Sequence, residues 1–364
     1  MPATPASDGL IAGRALWRAV VAPGHPLDPC DEAALRAAAL RLSYYTSPSM
    51  AAWLLSPVAA RLPGLMPAAE VERARQFNRF LRTRARAGLA HIHDAGIEVL
   101  ALKGFATATR FYPDPLIRTM GDVDLLVHPR DLARLCDLLE KDGFRFLRSK
   151  GTPRWGLASE SSFHPLVSAD GGLSFDLHVA ADDYPLSRGL DVEDVFATAQ
   201  RMEIDGLPVA VPCDDHLVLL AMTNAARDKF DENSLRSISD LVAALAITGL
   251  APDWAKIAAI GARGGFSRAF RAAVGLLAAL GVPADALPGG LMPVYRWPAR
   301  SAFDAMVTDV QGIFATVPGK IEKQRRDWLV ISPPAVLLRR NLRRIAGLVH
   351  PWMGLPAGRS FGAS

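Results

Sequence analysis

Between Ile97 and Val211 the hydrophobic period of this chain is close to two, while on both sides of that stretch it is close to 3.6. Any sheet is therefore confined to the middle of the chain, with helices before and after it. The change is abrupt. AAEVERARQFNRFLRTRARAGLAHIHDAG, residues 68–96, places Val71, Ala74, Phe77, Phe80, Leu81 and Leu89 at three- and four-residue steps and ends on Gly96, a helix with its stop signal. Ile97–Leu102 (IEVLAL) then reads as a short strand that ends at Lys103-Gly104, with a brief helix through Tyr112.

Beyond the loop at Pro113 and Pro115, Asp122–Val127 is the next strand, followed by a helix over Pro129–Asp142 that Gly143 closes. Strands are expected at Phe144–Arg148, Phe163–Ala169 and Leu173–Val179, the last two joined at Asp170-Gly171-Gly172. A further hairpin, Arg201–Ile204 with Leu207–Val211, turns at Asp205-Gly206. After Pro212 the strand signals largely vanish, and helices are expected near 214–228, 234–248, 252–263 and 266–280 and in the tail. At the other end, Asp31–Tyr45 and Pro48–Leu62 have helical spacing. The plan is α+β, in three parts: a helical segment over 1–68, a mixed α/β core over 69–212, and a helical domain over 213–364 that carries a basic tail.

Composition closes off several classes. Half of the 364 residues are hydrophobic and about a fifth are charged, a globular balance. No apolar run approaches the roughly 20 residues of a membrane span, and the N-terminus lacks the pattern of a secretory signal, so the expectation is a cytoplasmic protein without a membrane span. Cys30, Cys136 and Cys213 are too scattered for a disulfide framework or a zinc knuckle. The net charge of +4 does not mark a nucleic-acid binder as a whole. Lys320, Lys323, Arg325, Arg326, Arg339, Arg340, Arg343 and Arg344 do cluster, however, either as a solvated helix surface or as a face that meets RNA, an anionic lipid or an acidic polymer.

The chemistry lies in GDVDLLV. Side chains alternate along a strand, so Asp122 and Asp124 share one face. Two carboxylates so placed repel unless a cation sits between them, and hard oxygen ligands suit Mg²⁺ or Mn²⁺. A bare DxD pair is common on solvated edges, but a third acid, Asp176, sits in the apolar strand SFDLHV on the face opposite Phe175 and Leu177. A carboxylate there needs water or a partner, and a metal shared with Asp122 and Asp124 is one such partner.

Lys103-Gly104 after a strand, a helix and loop, Asp122-x-Asp124, and then Asp176 on a later strand resemble the DNA polymerase β-like nucleotidyltransferase superfamily. More narrowly, LKG…Y…R…GDVDLLV…FDLH looks like the uncharacterised bacterial nucleotidyltransferase family, over roughly residues 70–245. The resemblance implies a polymerase β-like core, two divalent ions held by Asp122, Asp124 and Asp176, and a nucleoside triphosphate, ATP first among them. A nucleoside monophosphate would pass to an unidentified hydroxyl acceptor on a small molecule, peptide or protein, with release of pyrophosphate. Transfer onto tRNA in the manner of toxin-like relatives, a binder without turnover, and a phosphotransferase remain as alternatives.

Gly104 would let a helix N-terminus approach the phosphates. Lys103 stands where the wider superfamily has Gly-Ser or Gly-Gly, and either charges the triphosphate site or pairs with a carboxylate. Arg118 could grip a phosphate with two bonds or lie idle on the surface. His178, on the Asp176 face, could contact substrate, move a proton or orient a carboxylate. Tyr112 reads as packing, Arg236 and Asp240 as an ordinary i,i+4 ion pair, and His91 and His93 as residues that favour the end of their helix.

Overall fold

The computed structural model describes residues 6–25, 27–60, 63–147, 162–183, 186–204 and 206–330. Three helices open the chain: α1 (Ala6–Val21), α2 (Glu32–Tyr45) and α3 (Pro48–Leu54). The start of α2 is set by Asp31, whose carboxylate accepts from the Ala34 N–H at 2.8 Å. Ser47 caps α3 through the Met50 N–H, with Pro48 in the first turn where its missing N–H is not needed. α3 stops at Leu54 and a 3₁₀ turn over Ser56–Val58 follows, shorter than the helix expected to Leu62.

α4 (Ala68–Asp94) is the long helix, and Gly96 at φ 64° turns the chain out of it. Its buried stripe runs Asn78, Leu81, Arg82, Ala85, Leu89 and Ile92, on the second half of the helix. Phe77 and Phe80, expected on the apolar face, are about half exposed instead. Arg84 lies over the Phe80 ring, 5.7 Å from its centroid.

The sheet follows: β1 (Val99–Ala101), α5 (Lys103–Arg110), β2 (Val123–Val127), α6 (Leu132–Lys141) with buried Cys136, β3 (Arg145–Phe146), β4 (Leu166–Val167), β5 (Ser174–His178), α7 (Val192–Ala197), β6 (Gln200–Ile204) and β7 (Leu207–Val211). The seven strands lie in the order β3-β4-β5-β2-β1-β7-β6. β2 runs antiparallel to β1 and parallel to β5, and β1 is parallel to β7, so the sheet is mixed. Every residue of central β2 is buried, and beyond Asp124 the strand is wholly apolar. The apolar flank Leu125–Val127 suggests acids at the exposed beginning of this strand, but Asp124 is inside the fold. α7 lies in a stretch where no element was expected. Gly171 (φ 69°) makes the turn between β4 and β5; Asp205 of the other hairpin lies outside the described residues.

The rest is helical: α8 (Asp214–Arg227), α9 (Leu235–Val242) continued by a π turn over Ala243–Ile247, α10 (Trp254–Arg263), α11 (Ser267–Leu280), α12 (Ala299–Gln311), α13 (Lys320–Arg325) and α14 (Asp327–Val330). The first helix packs against the helical half: α1 lies on α2, α11 and α12, and Trp17 Nε1 donates to Val310 O at 2.9 Å. No helix of the described residues is long and apolar enough to cross a membrane.

The basic cluster is only partly a surface. Lys320 and Arg325 are exposed. Lys323 is tied to Asp231 and Glu232 at 2.8 and 2.7 Å, and Arg326 is buried on Asp309 and the Phe230 carbonyl. Arg339, Arg340, Arg343 and Arg344 lie outside the described residues.

α1 meets α12 at Gly13, where an added Cβ would come within 2.1 Å of the Gln311 carbonyl oxygen and 2.9 Å of Gly312 Cα. Both are backbone atoms and cannot rotate aside. Gly13→Ala should therefore destabilise the protein by about 1–3 kcal/mol through overpacking, read as a lowered midpoint in urea unfolding, whereas Gly121→Ala, with open space around it, should not.

Candidate active site

β2 and β5 lie side by side in parallel register, with Asp124 opposite Asp176 and Leu126 opposite His178. Register partners point to the same face of a sheet, and so do residues two apart on one strand. The register therefore brings Asp124, Asp176 and His178 onto one face, where a ligand atom of each lies within 4.8 Å of the others. Asp122 comes one residue before β2, on the Asp124 side, and is half-buried. It stands at the edge of the cluster of three.

A buried carboxylate needs compensation, and Asp124, 6 % exposed, has two sources of it. Lys103 Nζ lies 2.5 Å from its Oδ1 and His178 Nε2 lies 2.8 Å from the same oxygen. Burial alone would raise the Asp124 carboxyl, but the Lys103 charge and the His178 hydrogen bond outweigh it and hold the group far below the usual carboxylate range. Burial lowers His178, keeping the ring neutral with its proton on Nε2 for Asp124. Its Nδ1 is buried without a partner.

Lys103 reaches this position through its backbone. It opens α5 directly after β1 with φ at 41°, a left-handed conformation uncommon for a residue with a side chain. The adjoining Leu102 N–H donates to the Asp124 carbonyl at 2.8 Å, locking this corner onto β2.

The other two acids carry the opposite perturbation. Burial, then the charges of Asp124 and Asp122, push Asp176 up to about 7. Burial and the Asp124 charge also raise Asp122. Asp176 Oδ1 is buried with no hydrogen-bond partner. An orphaned carboxylate oxygen beside a second carboxylate and a neutral imidazole fits a divalent cation: the donors are right, the geometry is compact, and the repulsion that raises Asp176 is what a cation would remove.

Arg118 is 8 % exposed and held internally. Its Nη2 and Nε lie 2.9 and 3.3 Å from the two Asp240 oxygens, and its Nη1 donates to Thr119 O at 3.0 Å. Tyr112 donates to the same Asp240 at 2.7 Å while packing on Trp53, 5.1 Å between ring centroids. Asp240 thus pairs with Arg118 across 122 residues and not with Arg236 on its own helix. The two-pronged guanidinium and the phenol hydroxyl together satisfy Asp240 better than a lone i,i+4 contact. Gly104, in the first turn of α5, makes room for this arginine, since a Cβ there would stand 2.5 Å from Arg118 Nη1. The Arg118–Asp240–Tyr112 contact joins the sheet-side loop to α9, and it is the part of the site that local pattern did not reveal.

The family model described as "Uncharacterised nucleotidyltransferase" matches residues 54–281. The chain belongs to this family and is a nucleotidyltransferase. Among solved structures, an antigenic nucleotidyltransferase-like protein from Paracoccidioides brasiliensis matches at 17% identity over 50% of this chain and 85% of that one, with a TM-score of 0.34, too low to argue from. No curated protein matches the chain.

Two outcomes follow from this geometry. Asp240→Ala strands the buried Arg118 and should cost about 3–5 kcal/mol, measured by urea unfolding. Second, Asp176 is mostly protonated below pH 7 and must lose its proton to bind a metal. Mn²⁺ affinity, measured by calorimetry, should therefore rise as pH increases from 5 to 7 and level off above. In Asp176→Asn that rise should be lost or much reduced.

Proposed function

We propose that this nucleotidyltransferase moves a nucleoside monophosphate from a nucleoside triphosphate, ATP first among candidates, to a hydroxyl acceptor on a small molecule, peptide or protein. The observation that supports this most is Asp176 beside Asp124 in register on parallel strands, with a buried carboxylate oxygen that has no protein partner. Asp122, Asp124 and Asp176 would hold two Mg²⁺ or Mn²⁺ ions, with His178 as a fourth donor or as the residue that orients Asp124. When bound, such ions polarise the α-phosphoryl group and favour ionisation of the acceptor hydroxyl.

The protein's own groups have definable parts in the transfer. Asp176, ionised above pH 7, takes the acceptor proton. The acceptor oxygen forms a bond to the α-phosphorus, the bond from that phosphorus to the pyrophosphate oxygen breaks, and pyrophosphate leaves with the electron pair. Lys103, which neutralises Asp124 in this structure, exchanges that carboxylate for a phosphate oxygen when nucleotide enters. The first turn of α5 would turn its N–H groups toward the incoming phosphates.

The test is to incubate the protein with Mg²⁺ and each labelled triphosphate in the presence of a small-molecule and peptide extract or of total tRNA. The expected outcome is an acceptor heavier by a nucleotide, with stoichiometric pyrophosphate. An acceptor heavier by a phosphate, labelled tRNA alone, or triphosphate binding without product would each contradict it in a different way. Asp176→Asn should lower the transfer rate about 100-fold or more while leaving thermal stability equal or raised, because a neutral isostere removes the charge repulsion at that position.

A further inference from the structure

Three cations that bear on the acid cluster already have partners. Lys103 is bonded to Asp124, Arg118 to Asp240 and Arg227 to Asp182. A fourth, Arg236, is different. It is the second residue of α9, half-buried, and its Nε is buried with no hydrogen-bond partner. Its helix neighbour Asp240 is taken by Arg118 instead. Desolvation and the neighbouring Arg118 charge both disfavour its charged form, while Asp240 and Asp122 favour it. A buried Nε–H left without an acceptor is costly to the free protein, so an anion that completes its hydrogen bonds would gain correspondingly.

Its position says which part of an anionic substrate that would be. Arg236 lies one helical turn before Asp240, on the same face of α9. Asp240 holds Arg118, and Arg118 lies against Gly104 at the start of α5. α9 thus presents Arg236 to the region between the first turn of α5 and Asp122, whose charge it feels. On the nucleotidyl-transfer reading that region, at the start of α5, is the phosphate side of the site.

We infer that Arg236 binds the β- and γ-phosphates of the nucleoside triphosphate and holds the departing pyrophosphate, so that the helical half of the protein selects for a triphosphate. This rests on the nucleotidyl-transfer reading above. The planar guanidinium offers five N–H donors to a polyanion with several acceptors, and at neutral pH it stays charged. Its contribution is confined to the part of the nucleotide that leaves, so a monophosphate gains nothing from it.

The experiment is calorimetric binding of MgATP and of AMP with Mg²⁺ to the wild type, Arg236→Gln and Arg236→Lys. With wild-type protein binding MgATP, Arg236→Gln should weaken MgATP about 10- to 100-fold and leave AMP unchanged, and Arg236→Lys should recover part of the loss. The melting temperature of Arg236→Gln should change little, since the buried Nε has no hydrogen-bond partner to lose. If wild type binds MgATP and Arg236→Gln binds it equally well, or loses ATP and AMP alike, the assignment is overturned and the nucleotidyl-transfer reading stands. If wild type binds no triphosphate, both fall together.

Discussion

One buried charge organises this molecule. Asp124 sits in the central strand, among residues that are otherwise apolar and fully enclosed, and an uncompensated carboxylate there would cost several kcal/mol. Lys103 and His178 supply the compensation, and each constrains a different part of the fold. To deliver its ammonium, Lys103 must adopt a left-handed backbone at the corner between β1 and α5. To deliver its Nε2 proton, His178 must stand in register with Leu126, two residues beyond Asp176. The corner, the register and the neutral imidazole are three consequences of one carboxylate.

The same charge sets the chemistry of its neighbours. Asp124 stays ionised because its partners are close, and its retained charge raises Asp176 and Asp122. The acids thus divide into one that is held negative and two whose negative charge is resisted. A site of this kind has a latent demand for positive charge that one lysine meets only in part. The demand, more than the number of acids, is what suits the site to a divalent cation and a polyphosphate.

How much of this was legible in the sequence depends on the distance over which each interaction acts. The change of period at Ile97 gave the mixed sheet its place, and the alternation of GDVDLLV and SFDLHV put Asp122, Asp124, Asp176 and His178 on common faces, because strand geometry is local. The alignment of Asp124 with Asp176 was not readable, since register depends on pairing across 52 residues of chain. Nor was Arg118 readable: its partner Asp240 is 122 residues away, and nearer Arg236 offered a plausible local pairing that the two-pronged contact displaced. Phe77 and Phe80 followed the helical period of α4, yet only the second half of that helix is covered. Arg326 looked like one more member of a basic run and is instead a buried anchor between α14 and Asp309.

On the proposed function, the ammonium of Lys103 holds the position of positive charge that a divalent cation would take over. Anomalous diffraction from crystals grown with Mn²⁺ and a non-hydrolysable triphosphate measures this directly. The expected result is a manganese peak between Asp124 and Asp176 and a Lys103 ammonium turned from Asp124 to a phosphate oxygen. Nucleotide bound with Lys103 still on Asp124 and no manganese at the two carboxylates would contradict it.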